Sequence, residues 1–578
     1  MTKLDPATLG VLVNKLYWIA EEMNTYLVRS AFSTNIKVRK DSSCALYTRT
    51  GEMLAQGEFI PVHLGIMTQS LKRVLEDHPV DSLMEGDAII HNDPFRMGSH
   101  LWDVMVFKPI FYDGKIVAFA GALAHHVDIG GCPPATPTRS IFEEGLRLPP
   151  VKIVKRGEIQ EDIVNIIMTN SRTSREIRGD VMAQLAANYR AEQRMQELFR
   201  KYGTDTLLKY FDAILDYSEK GMRKVIGEMP DGEASFEDYV EHDGYKPNQI
   251  KIKASVAIKG TEIYIDFNGS GEPGEGSVNS PWSLTHSACY YAVKAIVGPR
   301  IPANAGAYRA IHIKRPDKET IVDAKFPHGV STCTCTPAQR IADVVIGALS
   351  QIVPERVCAC DGHWPVLRFV GRDPENGQFI SYPETYACGR GAKHNDDGAD
   401  AHQTHMTNTA NAPVEVIELE RMLKVTQYAL VPDSGGAGKY RGGLGLTREV
   451  MCMMPASFAA ERMRPSIKPY GLFGGEGGGT DAGGELLPDG SLGKAFGDLA
   501  MGGKACIRTS GGGGWGNSLE RPIEKVEWDV LNGYISLEAA REIYGCVINP
   551  ETKKANIEET IKLRNKPAAQ EQGGKNKA

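Results

Sequence analysis

The chain has 578 residues, 42% of them hydrophobic and 24% charged, with a formal net charge of -6 at pH 7. That is ample apolar material for buried cores and, by length, about two to four domains. With slight overall acidity and basic residues spread along the chain, there is no positive field to attract a phosphate backbone, so no nucleic-acid partner is expected.

The opening MTKLDPATLGVLVNKLYW lacks the basic, apolar and small-residue order of a secretion signal, and no apolar run approaches the roughly 18 residues of a membrane span. A cytoplasmic chain with no membrane contact is expected. Eleven cysteines, an odd number in so long a chain, fit reduced thiols better than a disulfide framework.

Asp5-Pro6 makes an N-cap and first helical position, and Leu9, Leu12, Leu16, Ile19, Met23 and Leu27 follow at helical spacing. One long amphipathic helix over about residues 6 to 32 is predicted. CALYT, AIIHN, DVMVFKPIFY and KIVAFAGALAHH then read as strands punctuated by Gly, Pro and Asp, so residues 1–155 form a β-rich region with an N-terminal helix. From Gln160 to Tyr202 helix formers dominate, with an interruption near Ser171, and a further helical patch covers 204–226; residues 156–230 are a helical region. ASVAIKGTEIYIDFNGSGEP alternates like strands around a turn and HSACYYAVKAIVG reads as a buried helix, giving an α/β region over 231–382.

Beyond Pro383 glycine becomes dense in GRGAKHNDDG, DSGGAGKYRGGLG, YGLFGGEGGG and TSGGGGWGN. Such density marks tight turns or backbones in close approach, and predicts a Gly-rich β region over 383–562. The polar residues 563–578 predict a disordered tail. The fold class is α+β: mixed sheets with long helices and a Gly-rich, β-rich C-terminal part.

GDAIIHNDPFRMGSHLWDVMVF, beginning at Gly86, crowds His91, Asp93, His100 and Asp103 together, and AHHVDIGG adds His125 and His126. Asp41 in KVRKDSSC and His63 in IPVHLG are further candidates. Imidazole with carboxylate suits zinc, manganese or iron(II) at a site that keeps an open position. Any one of these residues alone reads as a capping or hydrogen-bonding group, and Asn-Asp-Pro gives Asp93 a turn role. On a strand His125 and His126 point to opposite faces, so one of them joins the ion; periodicity does not say which.

Other features read as structural. Cys333-Thr-Cys335 and Cys358-Ala-Cys360 are tighter than the usual spacing of structural zinc ligands. The turn from Asp266 and the glycines from Gly511 lack the lysine and hydroxyl of a phosphate loop. His402 and His405 read as residues that hold a Gly-rich loop. No G-x-S-x-G elbow marks a nucleophilic serine.

HNDPFRMGSHLWDV, AHHVDIGG, FEEGLRLPPVKI, VNSPWSLTHSACYYAV, IPANAGAYRAI, HMTNTANAPVEVIE, SGGAGKYRGGLG and GGGGWGN together resemble the hydantoinase B/oxoprolinase family over nearly the whole chain. The resemblance implies a metal-holding subunit of an ATP-dependent cyclic amide hydrolase. A hydantoinase A-like partner, carrying ATP and Mg, would phosphorylate the substrate oxygen, and this chain would complete hydrolysis of a lactam or hydantoin, with a caprolactam-type lactam favoured. It implies metal ligands at Asp41, His100, Asp103 and His125, most readily zinc with manganese or iron as alternatives. His126 or Asp128 would then orient a ligand or relay a proton, which places His126 in the catalytic set. An α2β2 hetero-oligomer is implied by analogy. A ketone carboxylase subunit and a noncatalytic scaffold are the alternatives. The chain departs from the family's wording in ACGRGAKHNDDG and STCTCTP, which leaves substrate specificity open.

Overall fold

The computed structural model describes residues 4–57, 59–132, 136–420 and 423–565. Most of the expected tail, from residue 566, lies outside them. Helix α1 (Pro6–Ser30) starts where Asp5 accepts hydrogen bonds from the Ala7 and Thr8 N–H groups. It stops two residues before the expected end because the Asp180 carboxylate captures the N–H groups of Phe32 and Ser33, at 2.7 and 3.1 Å. A single turn, α2 (Thr34–Lys37), follows.

A seven-stranded antiparallel sheet then forms from β1 (Ser42–Thr48), β2 (Met53–Gln56), β3 (Ala88–His91), β4 (Asp103–Tyr112), β5 (Lys115–His125), β6 (Val151–Lys155) and β7 (Glu158–Ile159), in the order β2-β1-β5-β4-β3-β6-β7. Helix α3 (Pro61–Asp77) and the short α4 (Ile141–Glu144) lie in its connections. The predicted helical run is split into α5 (Glu161–Thr169) and α6 (Ser174–Tyr202), and α7 (Thr204–Gly227) follows. The split falls where Asp128 binds Arg172 and the Ser171 hydroxyl.

Both faces of this sheet are covered. Helices α1, α6 and α7 bury one face through Leu16, Met23, Ala187, Phe199 and Phe211 against the alternate alanines of β5. Gln184 of α6 donates to the carbonyls of Val104 and Ala122, at 2.8 and 3.1 Å, which pins the helix across β4 and β5. The other face packs on α3, on α8 (Trp282–Val297) and on α9 (Pro337–Ser350) within the largest apolar core. That core also takes the inner face of a four-stranded sheet of β8 (Gly232–Val240), β9 (Ile250–Lys259), β10 (Glu262–Asp266) and β11 (Ile311–Lys314), in which β11 runs parallel to β10.

Two more four-stranded sheets interleave in sequence. One is β13-β12-β16-β18, from β12 (Val366–Arg372), β13 (Phe379–Thr385), β16 (Ala456–Glu461) and β18 (Phe496–Leu499). The other is β14-β15-β19-β17, from β14 (Leu423–Leu430), β15 (Leu446–Cys452), β17 (Ala482–Glu485) and β19 (Lys504–Arg508), with α10 (Val414–Glu420) before it. The glycine runs pack backbone on backbone: a Cβ on Gly442 would sit 1.9 Å from the Gly512 carbonyl oxygen. Three helices, α11 (Ile523–Leu531), α12 (Leu537–Glu542) and α13 (Ile557–Arg564), close the described chain. The fold is α+β, and no helix of the described residues is long and apolar enough to cross a membrane.

Candidate metal centre

The pleat decides which side chains can meet. Along β5, Ala118, Ala120, Ala122 and Ala124 face the α1–α6–α7 layer, and Phe119 and Leu123 face the α3 side. His125, one pleat beyond Leu123, shares their face. Antiparallel register sets Asp103 directly opposite His125. The His125 N–H donates to the Asp41 carbonyl at 3.1 Å, which extends the β1–β5 ladder by one pair and brings Asp41 to the same end of the strands. His100 sits in the turn entering β4, and His63 in the first turn of α3, held by the Ser43 hydroxyl at 2.8 Å.

The Asp103 carboxylate is the hub. Its Oδ1 lies 3.1 Å from His125 Nδ1. Its Oδ2 lies 3.3 Å from His100 Nε2 and 3.7 Å from His63 Nε2, and accepts the Ser99 hydroxyl. One ligand atom from each of His100, Asp103 and His125 lies within 4.8 Å of the others, the one such group of three or more among the described residues. Ligand bonds of about 2.0–2.2 Å suit an ion placed among them. The His100 nitrogen that faces Asp103 is Nε2, and its Nδ1 is buried without a hydrogen-bond partner. Asp41 is anchored by Asn35 Nδ2 at 3.4 Å, and the same amide donates to the His125 carbonyl at 2.8 Å. Asp41, His63, His100, Asp103 and His125 line one cavity of about 60 Å³.

Burial and charge oppose each other here. Burial alone would raise the Asp103 pKa, but His100, His125 and His63 around it hold it well below the usual carboxylate range. Burial would likewise lower His100, yet the Asp103 carboxylate outweighs it and lifts the imidazole above its ordinary value. At His63 burial wins over Asp103 and Asp41, and the pKa falls. A buried carboxylate ringed by imidazoles is an environment that a divalent cation would neutralise.

Residues 5–518 match the Hydantoinase B/oxoprolinase family. The chain belongs to that family. It is 32% identical to the caprolactamase subunit beta of Pseudomonas jessenii over 577 residues, covering 95% of this chain and 97% of that one. The crystal structure of the ATP-dependent caprolactamase from Pseudomonas jessenii superposes with a TM-score of 0.90 at 31% identity, over 97% of this chain and 100% of the other. The nucleotide-free structure of acetone carboxylase shares the fold, with a TM-score of 0.87 at 19% identity over 97% of this chain and 82% of that one.

Within this member of the family, the other histidines and aspartates singled out from sequence fall away from the cavity. His126 has the parity of Ala124 and turns to the helical face, where its Nε2 lies 3.1 Å from Gln184 Oε1. The expected catalytic set is therefore split: strand alternation separates His126 from Asp41, His100, Asp103 and His125. Asp128 is engaged by Arg172 and Ser171. His91 meets the Ser70 hydroxyl at 2.8 Å, and burial pushes its pKa down to about 3. Asp93 caps the turn at Pro94–Arg96, accepting from the Phe95 N–H at 3.0 Å.

Cys333 and Cys335, and the two later histidines, also separate. Cys335 lines the cavity, whereas Cys333 approaches the Ser99 carbonyl at 3.6 Å. His402 is exposed, but His405 is buried, its Nε2 2.9 Å from Asp343 Oδ1. Asp343 also accepts from His363 Nε2 at 2.6 Å and Arg464 at 2.8 Å. Sequence reasoning missed the far wall of the cavity, which includes Arg39, Arg368, Thr385, Thr407 and Thr409. These residues carry no shared spacing, and only Arg39 adjoins a candidate ligand in sequence.

Proposed function

We propose that this chain is the metal-binding subunit of an ATP-dependent cyclic amide hydrolase, acting after a hydantoinase A-like partner has phosphorylated the substrate oxygen. The observation that carries the reading is the convergence of His100, Asp103 and His125 in one small cavity of a hydantoinase B/oxoprolinase chain. These three residues would hold the ion, with Asp41 completing the set from the adjacent ladder position. Zinc is favoured for a His and carboxylate set, with manganese and iron(II) as alternatives. A divalent ion there supplies Lewis acidity for a carbonyl carbon and a lowered pKa for water.

The chain's own side chains do the rest. Ser99, His100 and His125 fix the Asp103 carboxylate, and Asn35 fixes both Asp41 and the His125 backbone, so the ligands are held before substrate arrives. Walls of Ile60, Val62, Trp364, Val366 and Met406 restrict bulk water. A lactam resists water because its nitrogen lone pair is delocalised; phosphorylation of its oxygen converts that oxygen into a leaving group. Water adding to the activated carbon breaks the ring C–N bond and frees the amine, a second water releases the phosphate from the carboxyl, and lactam, ATP and two waters yield an amino acid, ADP and phosphate. Caprolactam-type substrates are favoured on the likeness in both sequence and structure to the caprolactamase of Pseudomonas jessenii. The active assembly is proposed as α2β2.

The test is reconstitution: purified chain, its partner, ATP and a panel of lactams, hydantoins and ketones, scoring ADP against product. Ring opening without uptake of labelled bicarbonate is expected. Bicarbonate entering product from acetone or acetophenone would replace this reading with a carboxylase. Undiminished turnover in an intact His100→Ala assembly would replace it with a scaffold.

A further inference from the structure

The cavity lined by the metal ligands also holds a cation with no counter-ion among the described residues. Arg39 lies two residues before Asp41, and Lys40 between them is left-handed at φ 59°, which lets both neighbours line the same cavity. The Arg39 side chain is 3% exposed. Its guanidinium donates to Asn35 Oδ1 at 2.8 Å, the Pro383 carbonyl at 2.8 Å and Thr385 Oγ1 at 2.7 Å, all neutral acceptors. Its Nε is buried with no hydrogen-bond partner, and no carboxylate of the described residues lies within 4.0 Å. An arginine keeps its charge in a protein, so a buried guanidinium without an anion is expensive unless one arrives.

The surroundings complete an anion cradle. Thr385 Oγ1 is 2.9 Å from Thr409 Oγ1, which is 3.4 Å from Thr407 Oγ1, and all three threonines line the cavity. Arg368 lines it too, although Glu461 at 2.6 Å already pairs with it. Arg39 and the three threonines come from separate chain segments that meet at this cavity, and a charged guanidinium donor binds phosphate oxygens strongly. We infer that Arg39, with the Thr385, Thr407 and Thr409 hydroxyls, binds the phosphoryl group of the activated substrate in the cavity that the metal ligands also line. This rests on the proposed function, because Asp41 and Asp103 repel an anion from the same space until a divalent cation offsets them. Arg39 then orients the substrate so that its carbon faces the metal side, and keeps the departing phosphate in place.

The test measures binding of inorganic phosphate and of acetate to the full chain by calorimetry, with and without zinc, for the wild type, Arg39→Gln and Arg39→Lys. Loss of a charged donor predicts phosphate affinity about 10- to 100-fold weaker in Arg39→Gln, a smaller loss in Arg39→Lys and unchanged zinc content. Phosphate affinity within about twofold of wild type in Arg39→Gln overturns the inference. Acetate binding tighter than phosphate, and lost in Arg39→Gln, overturns the phosphoryl assignment in favour of a carboxylate. If no variant takes up zinc but phosphate still depends on Arg39, the metal reading fails and the anion site stands. Should Arg39→Gln not fold, crystals of the wild-type chain grown with phosphate decide: an anion oxygen on Arg39 Nε supports the site, and phosphate bound elsewhere rejects it.

Discussion

Replacing Asp103 by Asn changes one atom and one charge. The side chain is 1% exposed, and its two oxygens face His125 at 3.1 Å, His100 at 3.3 Å and His63 at 3.7 Å, so the amide would turn a hydrogen-bond donor or a neutral oxygen toward three imidazoles. Structural zinc sites bind with about 10–16 kcal/mol, and shared among four ligands this is about 2.5–4 kcal/mol each. Loss of one ligand therefore weakens zinc about 100- to 1000-fold. Competition between purified chain and a chromophoric chelator measures this directly. Asp93→Asn is the matched control: Asp93 lies in the same histidine- and aspartate-rich stretch but caps the Pro94–Arg96 turn, and zinc affinity should not move. Zinc affinity of Asp103→Asn within about threefold of wild type would refute the assignment of Asp103 as a ligand, since no compensating carboxylate could supply so large a share of the binding.

Three further outcomes follow from the geometry. His100→Ala in the reconstituted enzyme should lower turnover by about 1000-fold or more while assembly, followed by size-exclusion chromatography, stays intact. Asp343→Asn should cost about 3–5 kcal/mol in denaturant unfolding, because it uncouples Arg464, His363 and His405 from their shared buried carboxylate; a loss under about 1 kcal/mol would contradict that role. Burial pushes Glu144 up to about 7 from 4.5 despite the Val330 and Ser331 N–H groups bonded to it, so the native state holds a proton that the unfolded chain has lost. That stability is present below about pH 4.5 and is lost as pH rises through about 7, an effect of about 3 kcal/mol. In the metal-free chain Glu144→Gln should flatten the pH dependence of the unfolding midpoint across that window, and an unchanged slope would reject it.

The long periodic elements were legible because their cause is local. Pro6 and the Leu12, Leu16, Ile19 and Met23 stripe specify α1 without tertiary help, and only the Asp180 capture of the Phe32 and Ser33 amides, 147 or more residues away, shifts its end. The alternation of β5 implies that His125 and His126 part company, but not which side holds the other ligands. The pairing of Asp103 with His125 is local, set by the two-residue Asp113-Gly114 turn and a bulge at Ile110–Phe111, but the pairing of β1 with β5 that brings in Asp41 is a long-range register with no sequence signature. His63 was visible only as an isolated histidine, since the Ser43 contact that points it at Asp103 joins two separate elements. Arg39 was hidden for a different reason: a basic residue next to Lys40 reads as solvated surface, and its isolation from carboxylates becomes apparent only once Pro383 and Thr385 arrive from β13.

The two walls of the cavity are built differently, and the difference matches the work proposed for each. The ligand wall is formed at the ends of three neighbouring interior strands: Asp41, Asp103 and His125 are fixed by ladder hydrogen bonds, and a metal tolerates little displacement of its donors. The opposite wall is assembled from loops that reach across to it, with the Ala410 N–H bonded to the Arg39 carbonyl at 2.9 Å and the Val62 N–H to the Met406 carbonyl at 3.1 Å. His405, left-handed at φ 45° and bonded to Asp343, sets where Met406 and Thr407 enter the cavity. The Asp343 cluster thus lies outside the metal site but governs the shape of the wall that substrate would touch. Changes there should alter substrate affinity before they alter metal content, and changes at Asp103 should do the reverse, which makes the ratio of the two a measure of how independent the walls are.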